Sequence, residues 1–176
     1  MDESEISFNV VGVRLVRADV TLNDRTVVAD NQGVGVFVGL GSLTLNDDSR
    51  IVRNGGVGAG GALVSITLNG SSRIGDNDGG GVESTLGRVT LNENSTISEN
   101  TNSTKGGGVL NDGSSVLLND SSTIVGDVAP LGGGVYNSSF VGPSSLTLNG
   151  TSTITGNTAT AGQGGGVYSE RGRRLR

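Results

Sequence analysis

The carboxylates that bear on catalysis in this chain are Asp24, Asp47, Asp48, Glu93 and Asp120, which mostly follow a Leu-Asn pair directly. Clustered carboxylates cleave glycosidic bonds when they work as an acid/base couple or hold calcium beside a basic group. Here they are dispersed along the chain, and Gly70 and Gly150 occupy the same position in other copies of the motif. With no histidine and Lys105 as the single lysine, the acid/base inventory is thin. We read the carboxylates as solvated turn residues and expect a non-catalytic chain, with no catalytic, cofactor-binding or metal-ligating residue. A carbohydrate-active enzyme of the lyase or hydrolase type is the alternative.

Three further patterns have chemical content. Asp76-Asn77-Asp78-Gly79 looks like a piece of a calcium loop, but it lacks the spaced acids and terminal Glu of an EF-hand. It also lacks the nonapeptide period of calcium-binding β-rolls and reads as a turn. Thr21, Thr44, Thr67, Thr90 and Thr147 form a regular series, broken by Leu117. Threonine arrays at strand spacing order water in ice-binding solenoids, which makes ice binding a second alternative. Asn-x-Ser/Thr occurs at Asn69, Asn94, Asn102, Asn119, Asn137 and Asn149. Glycosylation at Asn69, Asn119 or Asn149 would break any stack those residues belong to.

The elements that carry these residues are set by a phrase that recurs six times: an apolar residue, a middle residue that is usually Thr, then Leu and Asn. Its leucines are Leu22, Leu45, Leu68, Leu91, Leu118 and Leu148; its asparagines are Asn23, Asn46, Asn69, Asn92, Asn119 and Asn149. The first four asparagines stand 23 residues apart, and the last two steps are 27 and 30. A fixed period of this size means one structural unit stacked on copies of itself.

Within each unit, the residues one and three before the Asn are apolar, the alternation of a strand with one buried face. Five residues after the Asn stands Val28, Ile51, Ile74, Ile97, Ile124 or Ile154, on a second strand. Eight after it stands Asn31, Asn54, Asn77, Asn100, Asp127 or Asn157. A glycine-rich third strand follows, as in Gly79-Gly80-Gly81-Val82 and Gly106-Gly107-Gly108-Val109; we match Gly60-Gly61-Ala62-Leu63 to it in the second unit. Turn-forming Asn, Asp, Gly and Ser separate the strands, and no segment carries a helical period. The fold class is therefore all-β: a right-handed parallel β-helix of about six rungs, three short strands each. The leucines should form one buried stack, and the asparagines two ladders at the corners. The longer last intervals should bulge as loops from one corner.

Composition agrees. Glycine makes up 32 of 176 residues, aromatics only 3%, and there is no cysteine, so a large globular core and disulfides are both excluded. A thin continuous core shared between repeats remains. The net charge of −5 argues against a nucleic-acid partner. The N-terminus, Met1-Asp2-Glu3-Ser4-Glu5, shows no secretion signal, and no apolar run is long enough to span a membrane as a helix.

The unit Ile-x-x-Asn followed by Gly-Gly-Ala/Gly-aliphatic resembles the repeats of polymorphic outer membrane proteins and autotransporter-type adhesins. Gly60-Gly61-Ala62-Leu63 carries one motif. Ile51–Asn54, Ile74–Asn77, Ile97–Asn100 and Ile154–Asn157 carry the other, with Ile in place of Phe. The resemblance covers about residues 19–168. It implies a secreted or cell-surface module with a structural or adhesive role, and a surface partner that is protein or glycan. The expected organisation is an irregular first rung or cap at 1–18, repeats at 19–168 and a basic tail at 169–176. Arg171, Arg173, Arg174 and Arg176 lie in that tail, which we expect to be irregular and to leave the last rung uncapped.

Overall fold

The computed structural model describes residues 4–171. Every strand pairs in parallel with its equivalent one repeat away, and among the described residues there is no helix. The result is a parallel β-solenoid of about six turns. Each turn runs through three sheets in the same order.

The first sheet, the Leu-Asn sheet, stacks Val20–Leu22, Gly41–Leu45, Val64–Leu68, Arg88–Leu91, Ser115–Leu118 and Ser145–Leu148. The Ile sheet begins one strand earlier, at Glu5–Ser7, and continues through Val27–Ala29, Arg50–Val52, Arg73–Gly75, Thr96–Ser98, Thr123–Val125 and Thr153–Thr155. The Gly-Val sheet stacks Val13–Val16, Val36–Gly39, Ala59–Ala62, Val82–Thr85, Val109–Asp112, Val135–Ser138 and Val167–Glu170. Residues 5–16 thus supply two strands of a partial leading turn.

The registers make the core a set of columns. Leu22, Leu45, Leu68, Leu91 and Leu118 pair in sequence, and each is buried. Val28, Ile51, Ile74, Ile97 and Ile124 form a second column with no exposed surface. Full burial of such side chains contributes about 1.5–3 kcal/mol each, and identical shapes at strand spacing interlock without aromatic filler. Leu148 departs from the expected buried stack. It is in register with Leu118 but 44% exposed, because no further Leu-Asn strand among the described residues lies over it.

The corners explain the composition. Asp24, Asp47, Gly70, Glu93, Asp120 and Gly150 occupy one corner, all with φ of 58–69°. Left-handed backbone is open to glycine and tolerated by Asp, and those two types fill five of the six positions, with Glu93 the sixth. At another corner the backbone of the next rung passes directly over a glycine. A Cβ at Gly81 would stand 2.6 Å from the Gly108 carbonyl oxygen and 2.8 Å from Asn100 Nδ2.

Three expectations need correction. Val36, Ala59 and Val82 are in register, so the partner of Gly81-Val82 in the second turn is Gly58-Ala59. Gly60-Gly61-Ala62-Leu63 lies four residues later than the segment it was matched to, within and just after the strand. Local composition misled the alignment, because glycine is abundant on both sides of Ala59. Secondly, the inserted residues do not all form loops. Val128–Leu131 and Thr158–Gln163 pair as a small fourth sheet, extended by bridges from Thr101 and Lys105. A second insertion, residues 139–144, does connect as a loop. Thirdly, Ser169 and Glu170 belong to the last Gly-Val strand, paired with Asn137 and Ser138, and are not irregular as expected. Residues 172–176, with Arg173, Arg174 and Arg176, lie outside the described residues.

Candidate functional site

Both asparagine ladders exist. On the outside, each Leu-Asn amide donates to the carbonyl oxygen of the one before it. Asn46 bonds to Asn23 at 2.8 Å, Asn69 to Asn46 at 2.9 Å, Asn92 to Asn69 at 2.8 Å, Asn119 to Asn92 at 2.8 Å and Asn149 to Asn119 at 2.9 Å. The sequons at Asn69, Asn119 and Asn149 are therefore ladder members, whose side-chain nitrogens are engaged.

The inner ladder runs in the opposite sense and is buried. Asn54 donates both its backbone N–H and its Nδ2 to Asn77 Oδ1, at 3.0 and 2.9 Å. Asn31 does the same to Asn54, Asn77 to Asn100, and Asn100 to Asp127. The ladder gains a member that repeat counting missed: Asn9, whose backbone and side-chain nitrogens donate to Asn31. Each buried Nδ2 also reaches a main-chain carbonyl, as Asn54 does to Val28 and Asn77 to Ile51. Buried amides satisfied on every side carry no unspent capacity for a ligand. The calcium-like tetrapeptide is divided accordingly: Asn77 points into this ladder, and Asp76 pairs with Arg73 at 2.7 Å.

Asp127 is the one acid in the inner ladder. It is fully buried, and its Oδ1 accepts both bonds from Asn100, but its Oδ2 has no partner. In an asparagine that atom would be the donating nitrogen. Burial pushes the Asp127 carboxyl up to about 7, against the lowering effect of the Asn100 hydrogen bonds. Below about pH 7 the carboxyl is predominantly neutral, and its proton then stands in for the donor that asparagine carries at this position.

The corner carboxylates do not converge. Asp47 accepts from the Asp24 N–H at 3.4 Å, Glu93 from the Gly70 N–H at 2.7 Å and Asp120 from the Glu93 N–H at 3.0 Å. They cap backbone donors one rung back. Among the described residues no three acidic, histidine or cysteine side chains are grouped as a metal site.

The lateral surface with most character is the outer face of the Gly-Val sheet. Its second strand position reads Arg14, Phe37, Gly60, Glu83, Leu110, Tyr136 and Tyr168 in register. Three of the chain's five aromatic residues stand on this single column. The Arg14 guanidinium lies 4.9 Å from the Phe37 ring centre. Further along, Lys105 Nζ lies 4.5 Å from the Tyr136 ring, which stacks on Tyr168 at 5.4 Å. The Tyr136 hydroxyl bonds to Glu170. Where Gly60 removes a side chain from the column, a groove of about 400 Å3 opens, lined by Arg14, Phe37, Gly60, Gly61, Ala62, Glu83 and Thr85, together with Val34 and Val57. Beside it, Leu40, Leu63 and Leu86 make a corner ridge: all three have φ of 54–60° and are 42–53% exposed.

Sequence reasoning missed this groove, because the misaligned glycine motif hid that Gly60 lies between Phe37 and Glu83. The available signal was the 23-residue recurrence of Phe37, Gly60 and Glu83, and of Leu40, Leu63 and Leu86. Set against family models, curated proteins and solved structures, the chain matches none. No helix among the described residues is long and apolar enough to cross a membrane, a statement that does not bear on strands.

Proposed function

We propose that this chain is a non-catalytic module of a secreted or cell-surface protein, a rigid β-solenoid rod with a structural and adhesive role. The observation that carries the proposal is the use of its polar side chains. The ladder asparagines bond to one another from rung to rung, and the corner carboxylates cap backbone donors. Such an inventory is invested in length and stiffness, and it leaves the lateral faces for contact. The resemblance to polymorphic outer membrane protein and autotransporter-adhesin repeats supports the same reading, and a fold alone would not.

The test has two arms. Incubation of the purified chain with pectin-like and other acidic glycans should release no new reducing ends. The chain immobilised on a sensor should retain at least one member of a panel of extracellular proteins and glycans. Depolymerisation lost on replacing a single Asp would establish an enzyme, and retention of no panel member would remove the adhesive role.

A further inference from the structure

We propose that the groove between Phe37 and Glu83 receives an arginine side chain of a protein partner, whose neighbouring apolar residues lie along the Leu40–Leu63–Leu86 ridge. Phe37, Gly60 and Glu83 occupy the same position on three successive strands. Two strand spacings separate the aromatic ring from the carboxylate, about 9.6 Å along the rod. The gap has a glycine floor and apolar lining from Val34 and Val57. Both walls favour positive charge: an aromatic face attracts cations, and Glu83 forms none of the ion pairs among the described residues.

The same column already shows the contact twice within the chain, with Arg14 over Phe37 and Lys105 over Tyr136. Arg14 lies over the Phe37 ring and lines the Phe37 end of the groove. Arg14 and Glu83 stand three strands apart on the column, so a cation seated against Glu83 lies at the end of the groove away from the Arg14 charge. Attraction therefore outweighs repulsion, and the net charge of −5 adds to it. A planar guanidinium suits the slot better than an ammonium. It is weakly hydrated, stacks flat on a ring and offers a fork of donors to the carboxylate.

The ridge supplies an independent observation. Leucine at positive φ is unfavourable, and here three consecutive turns keep it with the side chain about half exposed. Ala62 and Thr85 line the groove, and Leu63 and Leu86 follow them directly, so one partner segment spans both. A strained, exposed apolar series beside a charge-selective slot is the signature of a contact surface.

The inference names a partner chemistry for the adhesive reading and rests on it only in placing that partner outside the chain. The probe is acetyl-Leu-Arg-Leu amide, titrated into the 15N-labelled full chain, with the peptide carrying neutral citrulline in place of arginine as its control. Saturable shifts are expected at the Gly60, Gly61, Ala62 and Thr85 amides, and none with the citrulline peptide. Glu83→Gln and Phe37→Leu should each weaken binding about three- to fivefold. Leu63→Asn should weaken binding while raising the unfolding midpoint, since Asn accepts left-handed backbone. Absence of binding, equal binding of the citrulline peptide, the same shifts from methyl glucoside, or undiminished binding by both Glu83→Gln and Phe37→Leu would overturn the proposal. A chain that adheres in the sensor panel but ignores the arginine peptide loses this inference alone.

Discussion

Replacing Asp127 by Asn should stabilise this protein at neutral and alkaline pH and leave it almost unchanged in acid. Asp127 is fully buried between Asn100 and Asn157. Its Oδ2 is unpartnered where the other rungs place a donor. The native carboxyl titrates at about 7 against an ordinary value of 3.8, chiefly because burial disfavours the charge; Glu99 raises it further, and Arg73 and the Asn100 bonds lower it. Between those two values the native state binds a proton that the unfolded chain has lost. Stability therefore falls as pH rises from about 4 to about 7, then levels off. Three pH units correspond to about 4 kcal/mol, an upper figure that local relaxation reduces. Asparagine carries its own donor at every pH. Urea unfolding of the wild type and Asp127→Asn, measured from pH 4 to pH 8, isolates the term, because all other carboxylates are shared. The variant should gain about 2–4 kcal/mol at pH 8 and close to nothing at pH 4. A gap that does not widen with pH, or a variant less stable at pH 8, would refute the reasoning.

The two ladders should respond differently to truncation. Asn77→Ala leaves the buried N–H of Asn54 without an acceptor and removes one bond of its Nδ2, which keeps the Val28 and Val52 carbonyls, and should cost about 2–3 kcal/mol. Asn69→Ala, where water replaces the lost amide, should cost about 1 kcal/mol or less; denaturant melts of the pair check the ranking. Gly81→Ala drives a methyl to within 2.6–2.8 Å of Gly108 O, Ile97 Cγ2 and Asn100 Nδ2. It should destabilise by about 2–3 kcal/mol, read as a lower melting temperature. Leu91→Asp puts a carboxylate into a column with no exposed surface and should abolish the β-sheet circular dichroism of the rungs around it.

The period of the Leu-Asn phrase, and the apolar alternation before it, were enough to specify a three-sided stack and its main columns. Each residue in a solenoid meets its own equivalent, so a linear repeat maps directly onto a spatial neighbour. That is why the leucine column, the isoleucine column and both asparagine ladders were legible in one dimension. The same logic failed where two glycine-rich segments adjoin. Only the hydrogen-bond register shows that Ala59, not Leu63, stands opposite Val82. Register between strands is a tertiary property, decided by which inward side chains fit, and a four-residue shift, being even, preserves the alternation that sequence reads. The groove depends on that register, because Gly60 opens a gap only by lying between Phe37 and Glu83. The burial of Asp127 was likewise invisible: its position in the ladder could be counted, but its missing partner depends on the carbonyls and amides packed around it. The fourth sheet also needed three dimensions, since its two strands come from insertions of different length that become neighbours only when consecutive turns stack.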